Sequence, residues 1–343
     1  MKRVVTIKDI AKELNISPGT VSRALKDHPD ISASTKRSVV ELAEKWDYQP
    51  NSIARSLRQS KSNTIGVIVP RIAHYFFANV IAGIEQVANS KGFNIIICQS
   101  NELKDREIAA LHTLLATRVD AICLSLASGT DDFDHLKAFS KRGTPILFFD
   151  RICEEISVPS VIVDDFEGAY QATQYLIQTG CKTIAHLAGP KSLTITKKRM
   201  EGYLAALSDY NFAYRPELIV HSGLSYEEGE ESMEAILQND SQIDGVFAVS
   251  DPTAIGAMQA LKKLGYKIPQ DVSIIGFSNE PATLFVDPPL TTIEQPSYEI
   301  GQMIAELCME AIDNADDEIF TPHVETLKTR LIVRSSTKEK NLF

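Results

Sequence analysis

From Thr64 onward the chain repeats one pattern: a short apolar run, a polar loop, then a stretch whose apolar residues recur three and four positions apart. Apolar runs of this length bounded by turn residues read as buried strands, and the spaced stretches read as amphipathic helices. A helix after nearly every strand supplies the long crossover that parallel pairing needs, so the body is expected to be α/β with parallel sheets. Strands are predicted over 65–69, 94–98, 121–126, 145–149, 161–163, 183–187, 218–221, 246–249 and 272–276. Helices are predicted over 80–88, 107–116, 170–177, 200–207 and 253–264. So many strands exceed one comfortable sheet, which implies two lobes. Ligands of such sheets bind beyond the carboxyl ends of the strands, so a cleft between lobes is the natural pocket. The residues at those ends include Arg71, Asp150, Ser250, Asp251 and Ser278, a polar set suited to a polyhydroxylated ligand. Arg199 opens a helix after a Gly-Pro loop and can point into the same cleft. Among Tyr75, Phe76 and Phe77, the pair Phe76 and Phe77 is taken as a wall for a sugar face, although part of the trio suits a core equally well.

The first sixty residues follow a different rule. Thr6 with Asp9 three places on fits a capping box, and Ile7, Ile10, Ala11 and Leu14 follow at helical spacing. Ser17-Pro18 restarts a helix, with Ser as cap and Pro at the first position, where its missing N–H costs nothing. Two short helices across so tight a turn are a helix-turn-helix, whose second helix presents its N-terminal residues to the major groove. Those residues are Pro18, Gly19, Thr20, Ser22 and Arg23, with Ser17 before them. Arg suits guanine, and Thr and Ser suit bases or phosphates. A third helix, capped by Ser32, closes a small core with Val39, Val40, Leu42, Ala43 and Trp46. The run from Tyr48 to Arg58 then has Ile53, Ala54 and Leu57 on one helical face. It is too short to stand alone in water and is expected to order against a partner and DNA.

Charge is divided between these regions. Residues 1–62 hold 12 Lys and Arg against 7 Asp and Glu, a net +5; the remainder holds 23 against 38, a net −15. A basic head on an acidic body concentrates attraction for phosphate at one end. No stretch reaches the ~18–20 apolar residues of a membrane span. The basic start lacks the apolar core of a signal peptide, so a cytoplasmic protein is expected. The five cysteines are odd in number and scattered, which argues for reduced thiols and against a disulfide framework or a zinc site. His186 and Cys123 lie in strand patterns and are expected in the core; His28, His112 and His135 are expected at the surface.

The head motifs, TIKDIA from Thr6, ISPGTVSR from Ile16, YQPN from Tyr48 and ARSL from Ala54, together resemble the head and hinge of the lactose/galactose repressor family. The likeness continues through TIAHLAGP from Thr183, KRMEGYLAAL from Lys198, AVSDPTAIGAMQAL from Ala248, VSIIGFSN from Val272 and PPLTTIEQ, which ends at Gln295. It covers about residues 4–334. The resemblance implies an all-α helix-turn-helix head joined to a two-lobed α/β domain like that of periplasmic binding proteins. It implies that Thr20, Ser22 and Arg23 face double-stranded operator DNA, with Thr6, Ser17, Pro18, Gly19 and Ser32 beside them. Asn51 would hold backbone phosphate and Leu57 would wedge the minor groove, flanked by Ala54 and Arg55. Arg199 takes the place of the family's inter-lobe arginine and Asp150 that of its cleft acid, with Gln295 joining the effector set. Ser250 and Ser278 depart from the Asn and Asp common at those places, so the pocket's outline is inherited but its specificity is not.

The expected organisation is a helix-turn-helix DNA-binding domain over 1–50, a hinge helix and linker over 51–62, and a two-lobed ligand-binding and dimerisation domain over 63–340. One lobe spans about 63–163 and 293–325, the other about 164–292 and 326–340. No leucine heptad follows Arg334, so a homodimer is expected. The chain lacks a dinucleotide fingerprint, a P-loop, a GxSxG elbow and an HExxH, so neither enzyme chemistry nor a cofactor nor a metal is expected. The expected function is a transcription regulator, of the repressor kind, controlled by a small sugar-like effector. The body alone would also permit a stand-alone sugar-binding protein, a two-lobed enzyme with a helical appendage, or a regulator governed by a partner protein. Whether the effector releases or recruits DNA stays open.

Overall fold

The structure, a computed structural model, describes residues 5–48, 61–140, 143–239, 242–314 and 323–339. The expectations for Asn51, Ala54, Arg55 and Leu57 lie outside the described residues. The chain divides into two compact units, 1–62 and 63–343.

The head contains α1 (Ile7–Glu13), α2 (Pro18–Ala24) and α3 (Ala33–Lys45). At α1 the Asp9 carboxylate accepts from both the backbone N–H and the hydroxyl of Thr6 (2.9 and 2.6 Å). The Ser17 hydroxyl accepts the Thr20 N–H (3.0 Å) and that of Ser32 accepts the Thr35 N–H (3.2 Å), so each serine satisfies a helix-end donor that would otherwise lack a partner. Ile10, Ala11, Val21, Ala24, Val39 and Ala43 make the core, with Leu42 and Trp46 packed against it. Val40, expected inside, is exposed, because one helical step from Val39 turns a side chain through about 100°.

The second unit holds two sheets. The first contains β1 (Thr64–Val69), β2 (Asn94–Gln99), β3 (Ala121–Leu124), β4 (Ile146–Phe149), β5 (Ser160–Val163) and β11 (Val324–Leu327), in the order β11-β5-β4-β3-β1-β2, parallel throughout. The second contains β6 (Ile184–Ala188), β7 (Ile219–His221), β8 (Gly245–Ala248), β9 (Ser273–Ser278), β10 (Thr291–Glu294) and β12 (Arg330–Ile332), in the order β12-β10-β9-β8-β6-β7. Only the β10–β12 pair is antiparallel. Helices cover both faces of each sheet, as strands apolar on both sides require. They are α4 (Tyr75–Ser90), α5 (Lys104–Ala116), α6 (Asp134–Ser140) and α12 (Ser297–Asp313) on the first lobe. On the second they are α7 (Asp165–Gln178), α8 (Thr194–Asp209), α9 (Tyr226–Asn239), α10 (Asp251–Lys263) and the short α11 (Ala282–Phe285). Where α4 meets α12, Gly83 and Gly301 face each other. A Cβ on Gly83 would stand 2.2 Å from the Tyr298 carbonyl oxygen, so glycine is what allows this approach.

The chain crosses between lobes three times: after β5, between β10 and α12, and between β11 and β12. The second and third crossings come slightly later than expected, because Thr291–Glu294 pairs with β9 and Val324–Leu327 pairs with β5. The lobe limits near 293 and 325 are corrected accordingly. Hydrogen bonds tie the crossings to one another: the Asp164 N–H donates to the Leu327 carbonyl (2.9 Å) and the Thr329 hydroxyl to the Asp164 carbonyl (3.4 Å).

His186 and Cys123 are fully buried. The His186 ring stacks on Phe247 and Tyr203, its Nδ1–H donates to the Phe247 carbonyl (2.9 Å), and burial pushes its pKa down to about 4. His135 is a correction: its ring is nearly covered, because Nε2 sits 3.0 Å from the fully buried Glu107 carboxylate. No helix among the described residues is long and apolar enough to cross a membrane.

Candidate functional site

In each sheet the strand order reverses direction once, between β1 and β3 in the first and between β6 and β8 in the second. Such switch points open a crevice at the strands' carboxyl ends. A cavity lies there between the lobes, with about 430 Å³ of empty space, part of it continuous with solvent. Phe76 and Phe77, at the start of α4, form one apolar wall; their rings meet edge to face with centroids 5.2 Å apart. Ile195, Leu224 and Pro252 line the opposite lobe.

Arg199 of α8 is almost fully buried in the cleft, with 3% of its surface exposed. Its Nε donates to Asp165 Oδ1 (2.7 Å), its second terminal nitrogen lies 2.7 Å from the same oxygen, and the first donates to the Val249 carbonyl (2.5 Å). The guanidinium carbon lies 3.7 Å from the Phe277 ring centre, a close cation–π contact. Burial raises the Asp165 pKa, and Arg199 opposes the rise.

Asp150 and Arg151 follow β4. Asp150 sits at φ 61°, a left-handed conformation uncommon for a non-glycine residue and of the kind found at functional sites. Burial pushes its carboxyl up to about 6, with Asp165 adding to the rise and Arg151 and Arg199 opposing it. The terminal nitrogen of Arg151 donates to both Glu102 oxygens (3.1 and 2.8 Å) and to the Leu126 carbonyl (3.3 Å). Its Nε lies 3.7 Å from Asp150 Oδ2. Burial alone would raise the Glu102 pKa, but Arg151 and the Ser128 N–H outweigh it and hold the carboxyl below its usual range.

On the second lobe, Ser250 caps α10 by accepting the Thr253 N–H (3.3 Å), while Asp251 is fully buried under the cleft floor. Its two oxygens accept from the Thr292 hydroxyl (2.5 Å) and the Glu280 N–H (2.8 Å), which holds the loop after β9. Burial pushes its carboxyl up to about 6. In that loop Ser278 and Asn279 take φ 130° and 57°. Ser278 accepts from Gln295 Nε2 (2.9 Å), and Gln295 Oε1 is buried without a hydrogen-bond partner.

The cavity thus brings together Phe76, Phe77, Asp150, Arg199, Ser250, Ser278 and Gln295 of the expected set. Two expectations are corrected. Arg71 is exposed and outside the lining, because the turn before α4 points His74 inward instead. Asp251 supports the floor through its hydrogen bonds and does not line the cavity. Sequence reasoning placed Arg151 at a strand end beside Asp150 but missed His74 and Glu280 as lining residues; each lies within three residues of a side chain it did single out, and only loop geometry decides which neighbour faces inward. Among the described residues no group of three or more His, Cys, Asp and Glu side chains is arranged to hold a metal ion.

The second candidate surface is on the head. Ser17, Pro18, Gly19 and Arg23 are exposed, and Thr20 and Ser22 are half-buried. Val21 and Ala24 bury the other face of α2, so the helix is anchored while its first turn projects outward. Among the described residues Arg23 Nε reaches only the Gly19 carbonyl at 3.5 Å, which leaves its guanidinium available there. Thr6 and Ser32 are exposed at the starts of α1 and α3.

Residues 62–333 match the family model for periplasmic binding proteins and the sugar-binding domain of the LacI family, and residues 6–51 match that for bacterial regulatory proteins of the lacI family. The chain is 33% identical over 335 residues to catabolite control protein A of Priestia megaterium, covering 97% of this chain and 99% of that protein. It is 32% identical over 335 residues to a ribose operon repressor of Halalkalibacterium halodurans, covering 98% of each. Its structure is similar to that of a transcriptional regulator, CelR, in complex with cellobiose: TM-score 0.74, 26% identity, 97% of this chain and 99% of that one.

Removing Arg199 leaves Asp165 buried without its cation. Arg199→Ala is expected to destabilise the body by about 3–5 kcal/mol, whereas the double variant Arg199→Met, Asp165→Leu should lose much less. Urea denaturation of the three proteins checks this; equal losses in the single and double variants would contradict it.

Proposed function

The chain belongs to the lacI family of bacterial regulatory proteins, DNA-binding transcription regulators with a ligand-binding body, and from that premise we propose how its own residues perform the task. The inter-lobe cavity binds a small polyhydroxylated effector of the sugar kind, and its occupancy alters how two paired heads grip an operator. The cavity itself carries this reading: an aromatic wall of Phe76 and Phe77 faces hydrogen-bonding groups at Asp150, Ser250, Ser278 and Gln295. That pairing of an apolar face with polar edges matches a sugar ring. The relatives named for ribose and cellobiose support the same ligand class. The three lobe crossings form the hinge, and a ligand shifts it only by binding one arrangement of the lobes more tightly than another.

On the head, Arg23, Thr20 and Ser22 read base edges, while Thr6, Ser17, Pro18, Gly19 and Ser32 lie against the backbone. Asn51, Ala54, Arg55 and Leu57 belong to this surface by family resemblance. The protein works as a homodimer in the cytoplasm, where its DNA is. An apolar patch supports dimerisation: Phe285 has 86% of its surface exposed, beside exposed Leu284 on the short α11. Isolated exposed apolar residues are common, but an almost fully exposed Phe with an apolar neighbour is the composition of an interface.

Three outcomes test this. A thermal-shift screen of mono- and disaccharides should find a compound that raises the melting temperature with concentration and changes operator affinity. Asp150→Asn should blunt both effects; binders that never alter operator affinity would sink the reading. In fluorescence anisotropy, Arg23→Ala should lose roughly 1–3 kcal/mol on the operator and discriminate less between sequences, and unchanged selectivity would remove α2 from the recognition role. Phe285→Asp should shift sedimentation from two copies to one and weaken operator binding; a dimer that persists at nanomolar concentration would place the interface elsewhere.

A further inference from the structure

The polar groups of the cavity divide sharply by what they can still offer a ligand. Both guanidinium groups are engaged with the protein: Arg199 with Asp165 and the Val249 carbonyl, and Arg151 through one terminal nitrogen with Glu102 and the Leu126 carbonyl, while its Nε is buried without a hydrogen-bond partner 3.7 Å from Asp150. Burial, then the charges of Arg151 and Arg71, push the His74 pKa down, so its ring is neutral near pH 7. Beside the Ser250 and Ser278 hydroxyls, which can donate or accept, the remaining groups are acceptors. Glu280 has 8% of its surface exposed and lines the cavity, and its carboxylate makes no hydrogen bond or ion pair among the described residues. Only its backbone is engaged, through Asp251 Oδ2 and the hydroxyl of Thr283 (2.5 Å). Asp150 accepts no hydrogen bond there and has the Arg151 nitrogen at 3.7 Å as its nearest ionic partner. Gln295 Oε1 is a third acceptor without a partner.

A second cavity, of about 570 Å³, shares Asp150 and Ile195 with the first. Its lining adds Glu154 and Asp164, and its one cation, Lys198, donates to Glu201 (2.9 Å). Among the described lining residues the cleft therefore holds one buried carboxylate, Glu280, with no ionic partner, while its cations Arg199, Arg151 and Lys198 each already face a carboxylate. An anionic ligand is repelled by this lining. A neutral sugar can donate hydroxyls to it but leaves the charge of Glu280 unanswered. A carboxylate held nine-tenths buried without a partner is costly, and it is retained where a ligand supplies the missing charge.

Resting on the effector-binding reading above, we propose that the ligand of this cleft is a sugar bearing an unacylated, protonated amino group, with Glu280 and Asp150 receiving the ammonium and its neighbouring hydroxyls. Glu280 is the residue that sets this specificity. Asp251 faces it from the start of α10, Tyr226 from the start of α9, and Arg334 lies beyond Asp251. Asp150 is faced by Arg151, Asp165, Arg199 and Glu102. Burial and the charge of Asp251 push Glu280 up to about 7. A bound ammonium favours the ionised carboxyl, so binding releases a proton below that pH. Affinity should then rise as pH increases from 5.5 to 7.0. Over that range a sugar amine of ordinary α-amino basicity, with a pKa of about 7.7–8.0, remains charged.

The test is calorimetric titration of the full-length protein with D-glucosamine, D-galactosamine and D-mannosamine, each beside its neutral parent and its N-acetyl form, at pH 5.5 and 7.0. One of the amines should bind at least about tenfold tighter than its parent and its N-acetyl form at pH 7.0, and about tenfold tighter at pH 7.0 than at 5.5. Glu280→Gln should erase both differences. Its melting temperature at pH 7.5 should match or exceed the wild-type value, because the variant removes a buried charge, and that shows the loss is not unfolding. Parents that bind as tightly as the amines, or no amine binding up to 10 mM, overturn the proposal. A neutral sugar that binds and shifts operator affinity would sink this inference and leave the effector reading standing; an amine that binds without moving operator affinity would do the reverse.

Discussion

The ion pair between Arg199 and Asp165 organises the body of this protein. Asp165 opens α7 directly after the first lobe crossing, Arg199 projects from α8, its carbonyl partner Val249 directly follows β8, and Phe277 of β9 lies beneath the guanidinium. Four pieces of chain distant in sequence are therefore referenced to one planar cation. Burying both charges costs several kcal/mol per ion, and short, well-directed hydrogen bonds offset that cost. The return is geometric more than energetic: an arginine fork accepts partners only in its own plane, so it fixes where the crossing, the helix and the strand ends stand with respect to the cleft.

Around that anchor the cleft is assembled from strand ends, and its backbone is unrelaxed where it matters. Asp150, Ser278 and Asn279 all take positive φ, and Asp251 buries a carboxylate to hold the loop that carries Ser278 and Glu280. These features disfavour the empty fold locally. The cores on both faces of each sheet hold them in place, with large side chains such as Phe148, Phe149, Phe247 and Phe277 fully buried. Conflict between local preference and global fold, concentrated at one crevice, is what a binding site looks like in energetic terms. The head is the opposite case. Its helices are short and conventionally capped, its core is small, and its distinctive residues point outward.

Much of the fold was legible in the sequence. Buried parallel strands are continuous apolar runs, so β1 to β9 could be found within a residue or two. The later strands were not found. Thr291–Glu294 is polar in composition yet buried, because Thr292 satisfies Asp251 and Thr291 accepts from the Arg334 N–H. Val324–Leu327 is an edge strand with alternating exposure, and Arg330–Ile332 is too short to show a period. The helix Tyr226–Asn239, like Ser297–Asp313, had no stated bounds; its inward positions mix Gly229 and Ser232 with Met233 and Ile236, and the small side chains weaken its apolar stripe. Each missed strand is defined by a partner far along the chain.

By itself the sequence determined the class of each segment: capping residues set the head helices, apolar runs set the strands, and the position after each strand marked where polar residues would gather. These are properties of neighbours within a few residues. Tertiary structure alone decided which member of each cluster faces the cleft, that His74 turns inward while Arg71 meets solvent, that Asp251 braces the floor, and that Glu280 stands in the cavity without a counter-charge. Those outcomes depend on loop dihedrals and on hydrogen bonds closed across tens of residues, for which no local pattern exists.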